Sequence, residues 1–240
     1  MSFSRRILIV GLALLGLACV IRAPVSLITL ILPQHVQLKN VTGTLWTGNA
    51  SAIGVSHSIV QERVDWQFCP QSLLSGRIEW IVSGRFGERT SKLIIGLTHA
   101  GVVLGDASVF LPLEPFAALH PKLKALRIGA ILHVSTHHMR PHSPTSAKIE
   151  VDGLFSPLIA SSGQLGRFQL ALDIDEKGLG HWDISPLPGI LSVSGQGKFN
   201  INDPLQFNGQ LALNLLSPLP SLSSLLSQLP KTDTGYLISF

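Results

Sequence analysis

The sequence predicts a mainly β protein: a single N-terminal transmembrane helix, then a curved, largely antiparallel β-sheet module with short helices and a candidate two-fold internal repeat. Three observations carry this. Beyond Pro33, apolar residues recur at every second position, the period of a half-buried strand. The chain is 45% hydrophobic and only 13% charged, which sets disorder aside, and its 22 glycines and 15 prolines supply turns. Finally, Arg5-Arg6 precedes an apolar run from Ile7 to Ile21 that Arg22 closes.

Taken in order, the N-terminal run reads as an anchor inserted with its N-terminus in the cytoplasm, because arginines before an apolar run are retained on that side. As a helix its 15 residues span about 22 Å against about 30 Å of hydrocarbon, so Ser4 and a snorkelling Arg22 are needed to complete it. A cleaved signal peptide competes, but a cut after Ala23 would leave Pro24 first in the mature chain. A lipoprotein signal ending at Cys19 and a buried core helix are weaker alternatives. The segment from Pro24 to Pro33 reads equally well as a short helix on the outer membrane surface or as a continuation of the span. Residues 1–33 thus read as the anchor and juxtamembrane segment, and residues 34–240 as a β-rich domain on the far side of the membrane; with two cysteines in the chain, a periplasmic domain of a bacterial inner-membrane protein is the expectation.

In that domain Val64, Trp66 and Phe68 alternate with Arg63, Asp65 and Gln67, and Ile78, Trp80 and Val82 alternate with Arg77 and Glu79. The pattern resumes at Leu93–Leu97, Leu126–Val134, Ala147–Val151, Phe168–Ile174 and Leu205–Leu215. One apolar and one wet face predict antiparallel pairing. Short helices are expected over Leu113–Leu119 and Ser221–Leu229, each following a proline. Leu119-His120-Pro121-Lys122 resembles Gln228-Leu229-Pro230-Lys231, and Gly43 and Gly84 are echoed by Gly153 and Gly195 at offsets of 110 and 111. Two related halves, 36–122 and 145–231 with a linker at 136–146, are one reading; chance similarity among glycine-rich strands is the other.

The chemistry-bearing residues form no recognisable constellation. His133, His137, His138 and His142 are the densest ligand-type group, but no neighbouring carboxylate or cysteine completes a shell, and a solvated strand end accounts for them. Asp173, Asp175 and Glu176 before Lys177-Gly178 fit turn chemistry. There is no P-loop, dinucleotide fingerprint, zinc-protease helix or nucleophile elbow. Neither a catalytic site, a metal nor a cofactor is expected. The net charge of +4 includes three anchor-region arginines, so no basic block points to nucleic acid. Cys19 lies in the span and Cys69 beyond it, which excludes a disulfide between them.

One stretch carries a resemblance. Val41-Thr42-Gly43-Thr44-Leu45-Trp46-Thr47-Gly48-Asn49-Ala50 resembles the G-T-L-W-x-G-x-A motif of the type II secretion system protein N (general secretion pathway protein N) family. Trp66 leading to Pro70, Leu73-Leu74 and Gly76 is similar to that family's W-x-x-x-P-x-x-L-L-x-G segment. The His-rich stretch has no counterpart in it. The resemblance implies a non-enzymatic accessory inner-membrane component that contributes to export of folded proteins across the outer membrane. Its partners would be other inner-membrane and periplasmic secretion components and membrane lipid. It offers no catalytic residues. Gly43, Thr44, Leu45, Trp46, Gly48, Trp66, Pro70 and Gly76 are the candidate motif and interaction surface, with Arg5, Arg6 and Arg22 setting topology. A periplasmic module binding lipid or another hydrophobic ligand is the alternative, since a one-faced curved sheet can form an apolar trough.

Overall fold

The computed structural model describes residues 18, 21–26, 36–55, 58–118, 127–140, 143–157, 164–201, 203–215, 231–232 and 235–239. Arg5, Arg6 and nearly all of the Ile7–Ile21 run fall outside these residues, as does the helix expected over Ser221–Leu229. Among the described residues no helix is long and apolar enough to cross a membrane.

Fifteen strands join in one antiparallel sheet. They are β1 (Val36–Lys39), β2 (Thr42–Gly43), β3 (Thr47–Val55), β4 (Ser58–Cys69), β5 (Ile78–Phe86), β6 (Arg89–Thr98), β7 (Gly101–Pro112) and β8 (Gly129–Thr136). Then come β9 (Thr145–Phe155), β10 (Gly166–Ile174), β11 (Leu179–Pro186), β12 (Leu191–Asn200), β13 (Asp203–Leu215), β14 (Lys231–Thr232) and β15 (Gly235–Ser239). Fourteen follow one path, in chain order from β3 to β13, with β1 on one edge and β15 then β14 on the other; β2 pairs with β3 off the path. β1 and β2 meet the same partner, since Lys39 pairs with Ala52 and Thr42 with Asn49. Asn40, in the left-handed region at φ 47°, breaks that edge between them.

The expected alternation holds where it was strongest. Val64 and Trp66 are buried while Asp65 and Gln67 face water, and the register places Trp66 opposite Val82 and Phe68 opposite Trp80. The same face continues through Leu93, Ile95, Val134, Ile149, Leu170, Ile184 and Leu213. These side chains are only half-buried. A tighter core gathers at Leu165, Phe168 and Leu191, with Val151, Ile184, Leu213 and Tyr236 packed on it. Among the described residues no second layer covers the apolar face.

Three expectations are corrected. The helix from Leu113 shrinks to one turn, α1 (Glu114–Ala117), with the residues beyond 118 outside the described set. The stretch read as a linker is the β8–β9 connection between two paired strands, closed by Leu104 N donating to Met139 O at 2.9 Å. An unbroken helix past Arg22 is also excluded. The residue before a proline avoids the helical region, and Ala23-Pro24 instead pairs with the sheet, Pro24 bridging Thr44. The paired glycines share little beyond spacing: Gly43 and Gly153 both have positive φ, but a Cβ would meet backbone at Gly43 and only the Gln164 side chain at Gly153, and it would meet a side chain at Gly84 but Gln210 O at Gly195.

The register is interrupted on β4. A β-bulge leaves Arg63 at φ 45° between Glu62 and Asp65, re-aiming the first half of β4. Gln61 is thereby buried, and its Nε2 donates to Ser91 Oγ at 3.1 Å and to Phe110 O, two strands beyond β5. The side chain crosses over Gly84, where a Cβ would lie 2.6 Å from Gln61 Oε1. Ser91 Oγ also accepts from Phe110 N at 2.9 Å, so a buried polar node ties β4, β6 and β7.

Candidate functional site: the aromatic corner

The motif residues gather at one corner of the sheet. Thr44 closes the turn between β2 and β3: its N donates to Thr47 O at 2.9 Å, and its Oγ1 accepts from the backbone N of Trp46 and of Thr47, both at 3.2 Å. A hydroxyl bonding its own backbone two and three residues on is the threonine turn device. Gly43 is required on two counts. Its φ is 104°, and a Cβ would lie 2.5 Å from Thr47 O.

Two indoles from neighbouring strands hold this turn by its carbonyls. Trp66 Nε1 donates to Thr44 O at 3.0 Å and Trp80 Nε1 to Leu45 O at 3.1 Å. The ring of Trp66 lies across Gly48, where any Cβ would collide with it. Trp46 then completes a cluster with Phe68 and Trp80. It meets Phe68 edge-on at 4.9 Å between centroids and stacks on Trp80 at 6.1 Å with 14° between planes. All three rings are half-buried, so the corner presents aromatic surface to solvent.

The N-terminal segment joins at the same place, with Leu45 N donating to Ala23 O at 2.9 Å. Arg22, exposed, lies just before this junction. Pro70 opens a 3-10 turn (Pro70–Ser75) between β4 and β5, and Gly76 ends it at φ 69° with its N–H bonded to Leu73 O. The buried Ser72 clamps the turn: its Oγ donates to Cys69 O at 2.7 Å and accepts from Glu79 N at 3.1 Å. All eight motif residues therefore belong to one unit. Sequence reasoning passed over Phe68, Ser72, Trp80 and Ala23 as members of it. Trp80 and Phe68 were legible only as strand-face residues, because the Trp46 that gathers them into a cluster lies 34 and 22 residues away in sequence.

A second assembly lies on the polar face. Ser108 Oγ is 2.9 Å from His133 Nε2, and His133 Nδ1 is 3.7 Å from Glu150 Oε2, on three successive strands. The order is that of a serine–histidine–acid relay. However, all three stand on an open sheet face, and the backbone pairing that flanks Ser108 on β6 and β8 leaves no N–H pair facing it as an oxyanion hole. Lys148 Nζ at 2.8 Å also takes up Glu150, and Phe110 stacks on His133 at 4.3 Å. The geometry is a cross-strand ladder. The histidines of the β8–β9 connection meet Asp106, His137 Nδ1 at 3.1 Å and His138 Nδ1 at 3.4 Å. Among the described residues no group of three ligands is placed to hold a metal.

The Glu150 carboxyl is held below its ordinary value of 4.5, first by the hydrogen bond from Lys148 and further by His133. A lowered carboxylate stabilises the fold above its unfolded pKa and loses that contribution as pH falls through the folded one. Glu150→Gln is therefore expected to flatten the fall in stability below about pH 4.5, read from denaturant midpoints between neutral and acid pH. Equal slopes for both proteins would contradict it.

A single antiparallel sheet, pinned to its N-terminal segment by an aromatic corner, defines a mainly β module. Within that class the chain belongs to the type II secretion system (T2SS), protein N family, whose model matches residues 34–237. No curated protein and no solved structure matches it. Membership points to an accessory role in type II secretion and to interaction with other components of that machinery.

Proposed function

We propose that this chain is a non-enzymatic accessory component of type II secretion, tethered in the inner membrane by Ile7–Ile21 with Arg5 and Arg6 on the cytoplasmic side. Its sheet module then lies in the periplasm and supports export of folded proteins across the outer membrane. The half-exposed Trp46–Phe68–Trp80 corner, built where the N-terminal segment meets the sheet, supports this most directly. Aromatic rings on a rigid frame are good anchors for a protein partner. Leucine at position 46 retains an apolar side chain while shortening it, so Trp46→Leu is expected to leave the fold intact and reduce secretion severalfold. A photo-crosslinker at position 46 is expected to trap other secretion components in secreting cells. Recovery of none, with normal secretion by the variant, would count against the proposal.

A second reading rests on a different observation. Between its buried residues the apolar face carries half-buried side chains such as Leu93, Ile95, Val134, Ile149 and Leu170, which suits an acyl chain. Native mass spectrometry of the purified chain is expected to find bound lipid if this face is a carrier, and a lipid-free mass would remove the reading.

A further inference from the structure

The turns between strands divide between the two ends of the sheet. One end carries Pro70–Ser75 and the connections at 98–101, 137–144, 175–178 and 200–203; Ala23-Pro24 joins the sheet at this same end. Ten large apolar side chains are exposed among the described residues, and seven of them lie here, against two, Ile59 and Phe155, at the far end. Leu74 is 94% exposed beside Leu73 at 54%; Val102, Leu179 and Ile201 follow at 56%, 46% and 55% on three of the other four tips, the 137–144 tip carrying none among the described residues. Their backbones are fixed. Asp175 Oδ1 accepts from Leu179 N at 2.8 Å, Ile201 N donates to Gly178 O at 3.0 Å, and the Ser72 clamp holds the leucine pair outward.

A rim of leucine, valine and isoleucine held in water by rigid tips needs a cover. The chain itself indicates which. The apolar run that ends at Ile21 lies two residues from Ala23, so whatever receives that run lies against this rim. Exposed Arg22 and Arg140 stand at this end, at the level where cationic side chains meet lipid phosphates, while the 175–178 tip carries Asp175 and Glu176 beside Lys177 and is near neutral. We infer that this end of the sheet seats on the outer leaflet of the bilayer that holds the anchor, with Leu73 and Leu74 dipping into the headgroup–acyl boundary. The strands would then stand up from the membrane. The inference rests on the anchoring reading of Ile7–Ile21 and adds the orientation of the module.

The test uses the full chain carrying Cys19→Ser and Cys69→Ser, reconstituted in vesicles of phosphatidylethanolamine and phosphatidylglycerol. A polarity-sensitive fluorophore is attached in separate proteins at Leu74→Cys and Ile59→Cys, both exposed sites at opposite ends. The expected result is blue-shifted emission at position 74 that doxyl-labelled lipid quenches, with neither effect at 59. Carbonate extraction reads anchoring separately. Carbonate-resistant protein with position 74 as wet as 59 overturns the seating and leaves the anchor standing. Carbonate-extractable protein with 74 still quenched supports the seating and removes the anchor. Loss of both overturns both. Shielding of position 74 only in native membranes, not in lipid vesicles, assigns the rim to a protein partner and overturns the proposal.

Discussion

Replacing Trp66 by alanine is expected to lower the free energy of unfolding by about 3–5 kcal/mol, the range for deleting a buried large aromatic. The ring is 8% exposed, lies over Gly48 with its face and holds Thr44 O with its Nε1. Its removal opens a cavity over backbone and frees the carbonyl of the turn that carries Trp46. Urea unfolding of the detergent-solubilised chain, followed by circular dichroism, measures the effect; a loss under about 1 kcal/mol would mean that the ring is not part of the core. Trp66→Phe refills most of the volume without the N–H. It separates the packing loss from the hydrogen bond, which is worth about 1 kcal/mol.

The second large effect is at Gly197. The indole of Trp182, 4% exposed on β11, crosses Gly197 on β12 and Gly209 on β13. A Cβ at 197 would lie 2.5 Å from Trp182 Cε2 and would collide with Asn208 O, so the tryptophan or the strand must move. Gly197→Ala is expected to cost about 1–3 kcal/mol by overpacking. Gly87→Ala makes the control. It has φ 59° but nothing within 4 Å, so only the left-handed penalty of about 1 kcal/mol applies. Equal losses at the two glycines, measured by the same unfolding assay, would show that the indole does not rest there.

These two sites explain which strands were legible. β4, β5, β9, β10 and β13 place large apolar residues at every second position, and β6 and β8 carry apolar runs, Leu93–Ile95 and Ala130–Leu132, that mark them as strands. The strands β3, β7, β11 and β12 were passed over. β3 reads Thr-Gly-Asn-Ala-Ser-Ala-Ile-Gly-Val and β12 Leu-Ser-Val-Ser-Gly-Gln-Gly-Lys-Phe-Asn, with small residues where a strand signal wants large ones. Those positions are small because a ring from the next strand fills the space: Trp66 over Gly48, Trp182 over Gly197 and Phe199 over Gly180. Half of each packing unit lies in another strand, and a single-strand pattern cannot show it. For the same reason the candidate site was legible as a motif, Gly43 to Gly48, but not as a corner including Phe68, Ser72 and Trp80.

The sequence by itself determined the mainly β class, the antiparallel pairing, the family and the motif that marks the corner, because alternation and turn residues are local properties of the chain. Only the tertiary structure decided that the motif is a turn held by two indoles, that the stretch at 136–146 is a connection between paired strands, and that the exposed leucines share one rim with the chain's point of entry. Each of those depends on register between strands distant in sequence, and register is set by how side chains pack across the sheet.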